Sequence, residues 1–208
     1  RASLLVSDLG TRPMKIQAQT FERLVLGQLY ETTGVRENQD ILDHYISVIE
    51  GKTGSLIAAA GEYGSLLAGA SEEVIQMLAT YGELVGVAFQ LADDVIDIVS
   101  DGASSGKTQG TDLREGVPTL PTILLNRAAE AGDESARQVQ TLIEADLSSD
   151  DALAAAVSAL AAHPVTQEAW QIAYDWADRA IAAIAPLPDS TAKAALESFA
   201  HAVVHREG

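Results

Sequence analysis

Apolar residues recur at helical rather than strand spacing along nearly the whole chain. Residues 2–9 and 14–31 each keep one apolar side, which predicts two amphipathic helices broken by Gly10 and Pro13, with Gly34 placed to stop the second. Asp40 opens a further helix running toward Gly69, and Gly51 and Gly54 predict a bend or interruption within it. Ser71, followed by Glu72 and Glu73, predicts another start, because serine caps free amides and acids suit the positive end of the helix dipole. That helix continues through Val99.

Residues 101–118 are polar and glycine-rich and read as a loop. Helical spacing resumes at 119–130, 133–147, 148–163, 164–185 and 190–205. With short connections, no repeat and no proline- or serine-rich linker, residues 1–208 read as a single helical domain.

Composition strengthens the helical reading. Of the 208 residues, 47% are hydrophobic but only 5% aromatic, and alanine is abundant, which suits close-packed helices in an all-α protein. The net charge of −17 opposes binding to nucleic acid, so a polyanionic partner is small and needs metal ions or local basic residues beside it. Without cysteine there is no disulfide or thiolate chemistry. No unbroken apolar run reaches the roughly 18 residues of a membrane span and no secretory signal is present, so a cytoplasmic protein is expected. The chain opens RASLLVSDLG, without Met and inside a predicted helix, as an excerpt of a longer polypeptide would.

The chemistry concentrates in FQLADDVIDIVSD, residues 89–101. With Asp93 at zero and roughly 100° per residue, Gly86 falls near 20°, Asp97 near 40°, Gln90 near 60°, Asp101 near 80° and Asp94 near 100°. The polar groups share one arc, while Leu84, Val85, Val87, Ala88, Leu91, Ala92, Val95, Ile96, Ile98 and Val99 cover the rest. Such a helix is buried on most sides and turns its acids toward a cavity. An acidic stripe in an acidic protein can also be plain solvated surface. Here, however, no Lys or Arg lies within the helix, and the next basic residue is Lys107 in the loop. Neighbouring carboxylates in a partly desolvated site need positive compensation, and Mg²⁺ bridging carboxylates to substrate phosphates supplies it.

With its second aspartate-rich FQLADDVID, the following GKTQGTDLREGVPTLP, Gly27–Gln28, Lys52–Thr53 and the closing LESFAHAVVHRE, the chain resembles the trans-isoprenyl diphosphate synthases, specifically the long-chain polyprenyl diphosphate synthases. The resemblance implies a bundle of mostly antiparallel helices around a central cavity, usually a homodimer. It also implies Mg²⁺-dependent, head-to-tail transfer of an allylic prenyl group onto isopentenyl diphosphate. Carried over by position, Asp93 and Asp97 ligate Mg²⁺, and Asp94 contributes directly or through water. Lys52 and Lys107 hold the allylic diphosphate, Thr53 and Gln90 line the reacting centre, and Gln28 contacts the prenyl chain region.

Two departures accompany the resemblance. The family's first aspartate-rich motif, its main isopentenyl diphosphate-binding basic residues and its chain-length determinants are expected before Arg1, so the chain reads as the C-terminal portion of a synthase domain. Val117 stands where many relatives carry a second lysine. The competing expectation is a noncatalytic, regulatory subunit of a heteromeric prenyl diphosphate synthase. A di-iron bundle needs Glu-x-x-His pairs, and the sequence has none. His201 and His205 lack the intervening Glu of a metal-binding helix, and Trp170, Tyr174 and Trp176 read as core.

Overall fold

A computed structural model describes residues 1–100 and 109–205. Among the described residues there are eleven α-helices, one π-helical turn and no strand. In chain order these are α1 (Ala2–Ser7), α2 (Thr11–Thr33), α3 (Ile41–Ile49), the π-turn (Glu50–Gly54), α4 (Ser55–Leu67) and α5 (Glu72–Val99). There follow α6 (Thr111–Glu115), α7 (Leu120–Glu130), α8 (Glu134–Ile143), α9 (Asp150–Ala162), α10 (Pro164–Ala183) and α11 (Thr191–His205). The chain gathers into two compact units. One comprises Arg1–Gln90 with Asp175–Val203, the other Leu91–Tyr174 with the chain end from Val204.

Helix starts follow the sequence signals. Asp40 accepts from the Leu42 and Asp43 amides at 2.8 and 3.0 Å, Asp133 caps α8, and Ser149 accepts from the Ala152 amide at 3.2 Å. Two readings are corrected. Pro13 does not break a helix: it lies in the first turn of α2, where its missing N–H has no partner to lose. Nor is 101–118 wholly loop, since Thr111–Glu115 forms α6, bracketed by Gly110 and Gly116 at φ 72° and 69°. Arg114 forms a 2.6 Å ion pair with the exposed Asp150 at the start of α9.

In the first unit, the interruption expected at Gly51 and Gly54 is the π-turn, which joins α3 directly to α4. Its backbone is pressed against both neighbours. A Cβ on Gly51 would lie 3.0 Å from Arg23 O and Gly27 Cα, and one on Gly54 would lie 3.2 Å from Glu83 O. From the end of the turn along α4, the chain runs antiparallel to α5 with the backbones touching, Gly54 against Gly86, Ile57 against Gly82 and Gly61 against Leu78.

Along α5, Val85, Val87, Ala88, Leu91, Ala92 and Val95 have no exposed surface. Each fully buried Leu or Val side chain contributes about 1.5–3 kcal/mol of apolar transfer. Only Val99 of the expected apolar face lies open, at 41% exposure. One expectation about this helix is corrected. By length and a mean hydropathy of 1.3 over 18 residues, α5 could cross a membrane, a property hidden because single polar residues interrupt its apolar runs. Half of that window is buried inside the protein, as in the core helix of a globular fold.

In the second unit, Leu120, Ile123 and Leu125 of α7, Ala136 of α8 and Leu160 of α9 are fully buried. The aromatic residues of α10 are only partly buried: Trp170 stacks on Tyr174 at 5.9 Å, and Tyr174 meets His205 at 5.0 Å.

Candidate functional site

In the second unit, the three aspartates at the end of α5 have different surroundings. Asp94 is 5% exposed, and its Oδ2 accepts from the Leu120 amide at 3.1 Å. Leu120 is the first residue of α7, so this carboxylate meets the positive end of that helix and satisfies one of its free donors. Thr119 and Thr122 complete the start with a capping box.

Asp97 instead anchors residues 110 and 112. Its carbonyl accepts from the Gly110 amide at 2.9 Å and its Oδ2 from the Asp112 amide at 3.3 Å. The Gln109 side chain donates to the next carbonyl, Ile98 O, at 2.6 Å. Asp93 lies one helical turn before Asp97, and both are partly exposed.

Among the described residues, no three His, Cys, Asp or Glu side chains converge as a metal cage. Two partly exposed carboxylates one turn apart do fit Mg²⁺, which keeps several waters and is commonly held by one or two carboxylates plus substrate phosphates.

In the first unit, the candidates on α2 and the π-turn meet at a residue that sequence reasoning did not single out. Glu31 Oε2 accepts from Gln28 Nε2 at 2.7 Å and pairs with Lys52 Nζ at 2.6 Å. Glu31 follows Gln28 at i+3 on α2, a spacing that pairs side chains on a helix surface and was the available signal. The approach is set by glycines: a Cβ on Gly27 would lie 3.1 Å from Lys52 N.

One residue further along the π-turn, Thr53 Oγ1 donates to Gln90 Oε1 at 3.2 Å. Thus Gln28 and Lys52 share one carboxylate, Thr53 and Gln90 share a hydrogen bond, and Lys107 lies outside the described residues.

A second polar group braces the turn. Arg23 of α2 grips Glu83 of α5 with both terminal nitrogens, at 2.6 and 3.1 Å, and reaches Glu50 O at 3.4 Å. The Glu50 carboxyl is raised above the usual range, first by burial and then by the charge of Glu83, against the opposing pull of Arg23 and Arg179. These residues carried no sequence motif. Elsewhere in the unit, an open apolar cavity of about 700 Å³ is lined by residues including Phe21, Leu24, Leu56 and Tyr63, and by none of the predicted site residues.

The helical architecture is that of the isoprenoid synthases. It matches the crystal structure of geranylgeranyl pyrophosphate synthase from Corynebacterium glutamicum complexed with calcium and isoprenyl diphosphate, with a TM-score of 0.87, 40% identity, and coverage of 100% of this chain and 63% of that one. A decaprenyl diphosphate synthase from Rhodobacter capsulatus matches with a TM-score of 0.80, 33% identity, and coverage of 99% and 63%.

The polyprenyl synthetase family model matches residues 1–160, and the chain belongs to that family. The nonaprenyl diphosphate synthase of Mycobacterium tuberculosis is 41% identical over 207 residues, 100% of this chain and 61% of the relative. The octaprenyl diphosphate synthase of Escherichia coli is 33% identical over 208 residues, again 100% of this chain and 64% of the relative. The chain therefore spans about three fifths of the length of the relatives it matches.

Proposed function

We propose that this chain, within a polypeptide of its relatives' full length, carries out prenyl chain elongation, transferring an allylic prenyl group head to tail onto isopentenyl diphosphate. The observation that supports this most is the meeting of Gln28 and Lys52, two separately recognised motifs, at the Glu31 carboxylate.

In this reading Asp93 and Asp97 hold Mg²⁺, which neutralises the departing diphosphate when bound. Asp94 seats the start of α7 against the end of α5. Lys52 offers ammonium donors to the allylic diphosphate, and Lys107 is assigned the same role. Thr53 and Gln90, tied to one another, line the reacting centre and orient the allylic group. Exclusion of water by the apolar flanks of α5 protects the allylic cation from quenching until the double bond of isopentenyl diphosphate attacks.

We also read the protein as a cytoplasmic homodimer. The exposed stripe Phe21, Val25 and Leu29 on α2, at 65%, 48% and 51% exposure, supports a covered face there.

The test is incubation of the full-length protein with farnesyl or geranylgeranyl diphosphate, isopentenyl diphosphate and Mg²⁺, followed by product analysis. Elongated products are expected, with Asp93→Ala slower by on the order of 10²-fold or more. Absence of elongation, or an unchanged rate in Asp93→Ala, overturns the reading.

A further inference from the structure

We propose that Glu31 is a positioning residue that presents the Lys52 ammonium to the diphosphate, an inference that rests on the function proposed above. Lysine is a point charge on a flexible four-carbon stem, and fixing such a side chain costs rotamer freedom. In this structure that freedom is already restricted. Glu31 Oε2 holds Lys52 Nζ at 2.6 Å, and Gln28 Nε2 donates to the same oxygen at 2.7 Å, which steadies the carboxylate.

The backbone fixes the reach between them. Gly27 and Gly51 bring α2 against the π-turn so closely that a Cβ on either would lie 3.0–3.2 Å from the other strand of backbone. An ammonium has three donors, and the Glu31 contact uses one. Lys52 is 31% and Glu31 40% exposed, so the pair is open to an arriving anion.

Tethering and charge make opposite predictions for the same residue. Were Glu31 only a negative charge beside the site, removing it would strengthen binding of a diphosphate, and Ala and Gln substitutions would act alike. As a tether, Glu31→Ala releases Lys52 and weakens binding. Glu31→Gln keeps an acceptor oxygen for both donors while removing the repulsive charge.

The experiment measures two quantities on the full-length protein and both variants. One is calorimetric binding of inorganic pyrophosphate, and the other is the steady-state KM and kcat for farnesyl diphosphate. Glu31→Ala is expected to weaken pyrophosphate binding and raise KM about fivefold, with kcat within about twofold. Glu31→Gln should bind as tightly as the parent or more tightly, and both variants should melt near the parent, because exposed pairs add little stability.

The proposal is overturned if Ala and Gln both tighten binding, if both leave it unchanged, or if both weaken it equally. A parent protein whose pyrophosphate binding weakens in Glu31→Ala but not in Glu31→Gln, yet which elongates nothing, refutes the functional reading and leaves the tether standing. Normal elongation with an unaffected Glu31→Ala refutes the tether alone. A parent that neither binds nor elongates refutes both.

Discussion

Thr53 and Gln90 are hydrogen-bonded across the contact of the π-turn with α5, Oγ1 to Oε1 at 3.2 Å, because the glycines beside them allow the two backbones to touch. Gly54 follows Thr53, and Gly86 lies one helical turn before Gln90. A Cβ on Gly86 would fall 2.7 Å from Gly54 Cα, so the close approach and the polar pair depend on the same missing side chains.

Gly86→Ala is therefore expected to separate the helices and cost about 1–3 kcal/mol, the scale of overpacking in a close-packed interior. Because the same shift pulls Thr53 from Gln90, prenyl transfer should fall by more than the lost stability explains. Urea unfolding together with turnover, at a temperature where the variant remains folded, checks both effects.

Asp93 and Asp94 adjoin in sequence and should separate by phenotype. Asp94→Ala leaves the Leu120 amide without its buried acceptor and should cost about 1–3 kcal/mol of stability. Asp93→Ala should leave the unfolding midpoint nearly unchanged while abolishing most Mg²⁺-dependent turnover. Comparing urea midpoints with product formation for the two variants distinguishes them.

Tyr81 ties α5 to α11 by donating to Leu196 O at 2.7 Å, and burial pushes its pKa up to about 12. Tyr81→Phe should cost about 1 kcal/mol, the net value of one such bond. Since the folded pKa exceeds the ordinary value of 10.0, the unionised phenol is favoured in the folded state. Its contribution is complete below pH 10 and is lost as pH rises toward about 12. Spectrophotometric titration should show a tyrosine with a pKa of about 12 that is absent from the variant.

Glu50 behaves in the opposite sense to a paired surface acid. Its folded pKa lies above 4.5, so the folded state holds the proton more tightly. Any stability it confers is therefore present at acid pH and declines as pH rises through and beyond 4.5. Glu50→Gln should be slightly stabilising at pH 7, by about 0.5 kcal/mol or less, and neutral or destabilising near pH 4. Thermal melts at the two pH values test the change of sign.

Much of the secondary structure was legible from local chemistry. Asp40 caps the helix it was expected to open, the helices expected from about 133 and 148 start at α8 and α9, and the glycine pair at 51 and 54 marked an interruption. Pro13 was misread because proline breaks a helix interior but not its first turn, and only the observed start at Thr11 distinguishes the two. α6 escaped because five residues between two left-handed glycines present too little periodicity to detect.

The candidate site divides in the same manner. Helical periodicity alone put Gln90, Asp93, Asp94 and Asp97 on one polar arc of an otherwise apolar helix, since an angle along a helix follows from spacing. It could not assign the arc's partners. That Asp94 meets an α7 amide, that Asp97 holds the Asp112 amide, and that Glu31 joins Gln28 to Lys52 depend on segments distant in the chain. The sequence by itself determined which residues are helical, which face of each helix is apolar and where acids and lysines concentrate, because those properties are local. Only the tertiary structure decided which polar groups meet, because the meeting distances are set by backbone contacts such as Gly27 with Gly51 and Gly54 with Gly86.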